Sequence, residues 1–292
     1  MPLARNPFQR LEICVEDSRQ GEGPANDDVA GHLGGAAWVI DGATGVGRSV
    51  IDELSDAAWY ARTLDGAIRH HFVESPDAST PELLRRAVRS VAEAFRTAVT
   101  RDPEPHELPS AAFAMVRVLE HGVETSILGD CRILWRDAGG VKCSSTRDAL
   151  ENIELETLAL LVAAYAQDPA LTYEAAKFAV TPHLRANRAR MNTDGGYWIL
   201  SLDENAVEHL DRHVVEPADG RMLLASDGFM RLHELFGAMD LDTLLSLSTA
   251  GEVDGAMQLL RRLERQDADC RRYPRAKRMD DATVSVVRIT PA

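Results

Sequence analysis

Three short apolar stretches, residues 111–119, 123–128 and 132–135, follow one another across gaps of only three residues. A connection that short can reverse the chain but cannot carry it back across a sheet, so the strands it joins are antiparallel. Residues 141–143 extend this meander. Further apolar runs bounded by turn residues predict strands at 11–15, 36–40, 197–201, 213–216, 222–225 and 283–289. A Gly- and Asp-rich loop is expected over 18–31. Helices are expected over 50–72, from Thr80, and over 154–166, 173–190, 229–236, 241–247 and 253–266. The second helix opens on Thr80-Pro81-Glu82, an N-cap followed by proline at the first helical position. Its Leu83, Leu84, Ala87, Val88, Val91 and Phe95 keep helical spacing. Strands and helices do not alternate as βαβ units would require, which excludes a doubly wound parallel sheet. The expectation is an α+β fold, an antiparallel β-sandwich of two sheets flanked by helices. Without repeats or linkers, the 292 residues read as a single domain.

Composition narrows the class. Hydrophobic residues at 45% and charged residues at 27% describe an ordinary globular chain. The net charge of −14 argues against a nucleic-acid partner. Cys14, Cys131, Cys143 and Cys270 offer no C-x-x-C pair, so a zinc ribbon and a thioredoxin-like motif are excluded, and the thiols read as reduced. No apolar leader and no 18-residue apolar window occur, so neither secretion nor a membrane is expected and the location is read as cytoplasmic. Only three of the 32 basic residues are lysines, a usage that points to a GC-rich bacterial genome.

The carboxylates carry the chemistry. Six Asp-Gly dipeptides occur, and each alone is a turn. Two are set apart by their place at the end of a buried run: Asp41 after Trp38-Val39-Ile40, and Asp227 after residues 222–226. Asn26-Asp27-Asp28, Asp130 and Asp280-Asp281 also border strands. A carboxylate there is partly desolvated, which costs free energy unless a cation or hydrogen-bond donors compensate. Several such groups repel one another unless metal ions neutralise them, and oxygen-only ligands suit Mg²⁺ or Mn²⁺. Paired metals activate water against phosphoesters. The alternative is a set of acidic turns that never meet.

Five motifs stand in a telling order: Asn26-Asp27-Asp28, Val39-Ile40-Asp41-Gly42-Ala43-Thr44-Gly45, Gly129-Asp130-Cys131-Arg132, Ala225-Ser226-Asp227-Gly228 and Asp280-Asp281-Ala282-Thr283-Val284. This series resembles that of the metal-dependent protein phosphatases (type 2C, PPM), in particular bacterial members, over about residues 11–290. The resemblance implies a four-layer α-β-β-α sandwich with a two-metal site at one end. It implies that Asp41 bridges two Mn²⁺ or Mg²⁺ ions and orients a bridging hydroxide, and that the Gly42 carbonyl binds one ion. Asp28, Asp227 and Asp280 complete the ligand set, Asp130 helps to hold a third, weaker ion, and Asp27 lies just behind the ligands. The reaction implied is hydrolysis of phosphoserine or phosphothreonine in a phosphorylated protein by in-line attack of that hydroxide. Where the bacterial motif has an arginine, five residues before Asp28, this chain has Gly23; Arg19 is the candidate replacement. Ala43 stands where animal members carry a proton-donating histidine, and Cys131 where serine is usual. Residues 146–192 form a divergent helical insert unlike the family's flap.

Two rivals stay open: the same fold acting on a small phosphoester, and a pseudophosphatase that binds phosphopeptide without turnover. Arg185, Arg188 and Arg190, and the basic run 261–278, are candidate contacts for a phosphorylated substrate, Arg188 foremost; charge runs are otherwise solvated faces. His209 and His213 have helical zinc spacing, but residues 207–215 alternate like a strand, which sets them roughly 13 Å apart. His70-His71 reads as a dipole complement at a helix end. Neither a G-x-S-x-G elbow nor a P-loop occurs.

Overall fold

A computed structural model describes residues 10–120, 122–144 and 148–290. Its strands are β1 (Arg10–Arg19), β2 (Asp28–Leu33), β3 (Ala36–Ala43), β4 (Ser110–Leu119), β5 (Gly122–Leu128), β6 (Arg132–Asp137), β7 (Gly140–Ser144), β8 (Asp211–Val215), β9 (Arg221–Ala225) and β10 (Ala282–Thr290). Its helices are α1 (Asp56–Glu74), α2 (Thr80–Ala98), α3 (Asp148–Gln167), α4 (Tyr173–Arg188), α5 (Asp227–Glu234), α6 (Leu241–Ser246) and α7 (Ala250–Gln266). The strands form two five-stranded sheets, ordered β1-β10-β9-β6-β7 and β2-β3-β4-β5-β8. Each paired neighbour is antiparallel. This is the α+β sandwich expected.

The layers follow from the pleat. Along β3, Ala37 and Val39 face the other sheet and meet Met222, Leu224 and Val287. Trp38 and Ile40 face outward, onto Tyr60 and Leu64 of α1 and Val88 and Val91 of α2. On the far sheet, Leu223, Val284 and Val286 point outward and are covered by Phe229 of α5, Leu244 of α6 and Met257 of α7. Both sheets are thus covered on both faces, which is why β3 and β4 read as unbroken apolar runs.

Several boundaries differ from the sequence reading, each for a local reason. The loop expected over 18–31 is confined to 20–27: β1 continues to Arg19, and β2 starts at Asp28 and pairs with β3 through a two-residue Gly34-Gly35 turn, Gly34 at φ 56°. The first helix begins at Asp56, not 50, because Ser55 caps it by accepting from Ala58 N; Ile51 instead bridges to Val99. The cap of α2 is Ser79, while the Thr80 hydroxyl donates to Glu124. Residues 197–201 make only isolated bridges, at Tyr197 to Met191 and Leu200 to Ala111. Residues 207–215 are not one strand: a 3₁₀ turn over Glu204–His209 precedes β8.

The segment expected to be helical over 146–192 folds as a hairpin of α3 and α4, its beginning at 146–147 lying outside the described residues. Leu161 and Tyr165 of α3 pack with Ala176 and Val180 of α4 into a small core of their own. Tyr165 and Tyr173 donate to the carbonyls of Asp269 and Ala276, at 3.0 and 2.5 Å. Among the described residues, no helix is long and apolar enough to cross a membrane.

Candidate metal centre

The register of the two sheets brings the acidic residues to one end of the sandwich. Asp28 opens β2 and stands directly across from Asp41 on β3. Asp227 is the first residue of α5, two after the end of β9, and its amide donates to Asp41 Oδ2 at 3.3 Å. Asp130 follows β5 by way of Gly129, whose φ of 89° turns the chain. Asp280 lies two residues ahead of β10. Asp41, Gly42, Asp130, Asp227 and Asp280 line a cavity of about 460 Å³ between the sandwich end, α3, α4 and the segment before β10. Asp28 lies beneath it, buried.

The backbone around these groups is closely fitted. Gly42 donates to the Asp27 carbonyl at 3.1 Å, and a Cβ on it would stand 2.5 Å from that oxygen. Asp27 accepts from the Ser55 and Thr44 hydroxyls, at 2.5 and 3.0 Å, tying the loop after β3 to the start of α1. Asp281 accepts from the amides of Gly21 and Asp27, at 2.7 and 2.9 Å, and clasps the loop before β2. Glu107 accepts from Arg48 N at 3.3 Å and pairs with Arg101 at 2.6 Å, supporting the far end of the Asp41 loop.

Electrostatics mark the site as a place for cations. Both carboxylate oxygens of Asp28 are buried without a hydrogen-bond partner. Its burial, which the nearby Ser226 and Thr283 hydroxyls, not in hydrogen-bonding geometry with it, offset only in part, raises its pKa to about 8. Burial and then repulsion from Asp28, Asp227 and Asp130 push Asp41 well above the usual carboxylate range. Asp130 is raised to about 7 by burial and Asp227, and Asp227 is raised by burial and Asp280. Asp280 is the exception: Lys277 and Arg231 outweigh its burial and hold it below the usual range. A carboxylate buried without donors beside others that repel it is the donor set a hard divalent cation satisfies.

The expected residues divide cleanly. Asp28, Asp41, Asp130, Asp227 and Asp280, with Gly42, converge, and Asp27 sits behind them. Arg19 does not reach the cavity: it is spent on Asp17 and Asp254, at 2.6 and 2.7 Å. Gly23 is an exposed loop residue. Arg188 does line the cavity, but its Nη2 donates to the carbonyls of Ala43 and Leu108, at 2.6 and 3.1 Å, which makes it an anchor of the Asp41 loop. Arg185 and Arg190 likewise donate to carbonyls, of Val46 and Gly195. His209 stacks on Trp198 with ring centroids 3.5 Å apart, and His213 pairs with Asp211. The sequence reading missed Glu154 of α3: its carboxylate and those of Asp130 and Asp227 present oxygens all within 4.8 Å of one another. Glu154 is exposed as a residue, but its carboxyl end reaches the cavity, where desolvation and then repulsion from Asp130 and Asp227 raise it to about 8. Lys277, which the sequence reading offered only as one member of the basic run 261–278, has its ammonium 2.6 Å from Asp280 Oδ1.

The fold is that of solved metal-dependent serine/threonine phosphatases of type 2C. The Mycobacterium tuberculosis serine/threonine phosphatase PstP/Ppp superposes with a TM-score of 0.58 and 15% identity over 97% of this chain and 100% of that one. The PPM phosphatase MsPP of Mycobacterium smegmatis, solved with cacodylate, gives 0.56 and 16% over 97% and 99%. The catalytic domain of PstP solved with two manganese ions gives 0.56 and 16% over 96% and 99%. At such identities the likeness is one of fold. No family model matches the sequence, and no curated protein matches it.

Proposed function

We propose that this chain is a bacterial, cytoplasmic metal-dependent phosphatase that hydrolyses phosphoserine and phosphothreonine in proteins, its α3–α4 hairpin an insert in one catalytic domain. The observation that carries the reading is Asp28, a carboxylate buried opposite Asp41 with both oxygens unpartnered. The free energy lost by stripping it of water is recovered when a cation arrives. Asp28, Asp41, Asp227 and Asp280 with the Gly42 carbonyl would hold two Mn²⁺ or Mg²⁺, and Asp130 with Glu154 a third, weaker ion. Such ions supply positive charge that lowers the pKa of water and offsets charge on a phosphoryl group.

The remaining work falls to the protein's own groups. Asp41 accepts from the Asp227 amide at 3.3 Å, which fixes its carboxylate against the start of α5. Asp27, through Thr44 and Ser55, holds the loop that presents Gly42. Ala43 offers no proton, so the leaving alkoxide takes its proton from water ordered near Asp130, and a poor leaving group depends most on that water. The protein fold of the neighbours and the open cavity beside the α3–α4 hairpin support a phosphoprotein substrate.

The test is hydrolysis of an aryl phosphate and of a phosphothreonine peptide by protein freed of metal with a chelator, before and after Mn²⁺ is restored. Activity on both is expected only with metal. Undiminished activity in metal-free protein would refute the reading; hydrolysis of the aryl phosphate alone would point to a small phosphoester.

A further inference from the structure

We propose that Lys277 is the cation that meets the substrate's phosphoryl oxygens, an assignment that rests on the phosphatase reading above. Five cationic side chains border the cavity among the described residues. Four are committed. Arg132 is 5% exposed and forks onto Glu234 and the Asp130 carbonyl. Arg231, 10% exposed, bridges Glu264 at 3.0 Å and Asp280 at 2.6 Å. Arg275, 4% exposed, is enclosed by Asp267 and the carbonyls of Glu264, Asp267, Tyr273 and Arg278. Arg188 is buried: its Nη2 holds the Asp41 loop through two carbonyls, and its Nε, which has no partner, is shut off from the cavity's solvent. Lys277 differs: its side chain is 41% exposed, and its ammonium makes one hydrogen bond, to Asp280 Oδ1.

An ammonium has three donors, so two remain to be directed into the cavity. Asp280 does not depend on Lys277 alone, because Arg231 holds its other oxygen. The lysine can therefore turn toward an incoming anion without abandoning a buried charge. Its backbone is fixed, Tyr173 donating to the carbonyl of Ala276 and Arg231 to that of Lys277 itself, at 2.5 and 3.3 Å, while its ammonium is held by Asp280 alone. Need matches supply. A phosphate dianion entering here faces Asp41, Asp130, Asp227, Glu154 and Glu234, and the expected arginine Arg19 is held elsewhere. One positive charge with free donors at the cavity wall offsets that repulsion at the phosphoryl oxygens.

The experiment compares full-length wild-type protein with Lys277→Met and Lys277→Arg. Inorganic phosphate is titrated calorimetrically into each protein saturated with Mn²⁺, Mn²⁺ is titrated into each metal-free protein, and KM and kcat are measured on an aryl phosphate. Lys277→Met is expected to weaken phosphate binding about tenfold and to raise KM in parallel, with a smaller change in kcat. Lys277→Arg is expected to recover most of the loss. Mn²⁺ affinity should stay the same or tighten, since a competitor for Asp280 is gone. Unchanged phosphate binding in Lys277→Met would overturn the proposal. So would a loss of Mn²⁺ affinity large enough to account for the phosphate effect, because Lys277 would then act through Asp280. The phosphate titration needs no turnover. A wild-type protein without phosphatase activity whose phosphate binding still depended on Lys277 would refute the activity and not the lysine's contact.

Discussion

At the scale of single residues, the acidic groups divide by what balances them. Asp280 has a cation on each oxygen, whereas Asp28 has no hydrogen bond on either and Asp41 sits among like charges. Removing one charge from the crowded group relieves repulsion in the metal-free protein while weakening the hold on cations. Asp41→Asn and Asp227→Asn are each expected to abolish Mn²⁺-dependent turnover, yet to melt no lower than wild type when both are measured with a chelator. Wild-type turnover in either variant would mean that the ligands lie elsewhere. These two aspartates were legible because each ends a buried run, where a carboxylate costs most. Glu154 was not, since it sits in a helix beside Glu151 and Glu156 and only the fold turns it toward Asp130. Lys277 was hidden in a basic run. Asp281 was visible as half of an acidic pair, but that it grips two amides across the loop before β2 is a tertiary fact.

At the scale of elements, the hairpins and helices were legible because their signals are local. Helix α2 shows its buried stripe in its own spacing, and short gaps betray the meander. Strand β2 escaped because its residues Gly31 and His32 are poor strand formers. Gly31 is needed there: a Cβ would stand 2.3 Å from the indole nitrogen of Trp38, which donates to Asp65 at 2.9 Å. Residues 197–201 misled for the opposite reason, being apolar enough for a strand yet making only bridges. The start of α5 carries a prediction of its own. A Cβ on Gly228 would lie 1.9 Å from the carbonyl oxygen of Asp281, so Gly228→Ala must force α5 away from the segment before β10. The expected cost is about 1–3 kcal/mol of stability, together with weaker Mn²⁺ binding, read by thermal melts and by calorimetry. An alanine variant with unchanged values on both would show that the two elements are not in register with the site.

At the scale of the whole molecule, the sandwich stores its unbalanced charge at one end, and this sets how stability responds to pH. Asp28 and Asp130 lie at about 8 and about 7 in the folded chain, against ~3.9 for an unfolded aspartate. Between about pH 4 and 8 the folded state therefore holds protons that the unfolded state has released, and stability falls as pH rises. Metal-free protein is expected to melt at a higher temperature at pH 5 than at pH 8, and saturating Mn²⁺ should shrink the difference by supplying the missing positive charge. A melting temperature that climbs with pH in the presence of a chelator would contradict the origin assigned to these shifts. The grip of the α3–α4 hairpin on the catalytic end has a different bearing, on how such a chain can drift over generations. Arg188 and Arg185 reach the loop after β3 only through the carbonyls of Ala43 and Val46. A backbone oxygen is the same whatever side chain it carries. These two contacts thus do not depend on the side chains at positions 43 and 46, whereas they do depend on the arginines, and a hairpin borrowed from another protein would have to bring such arginines with it.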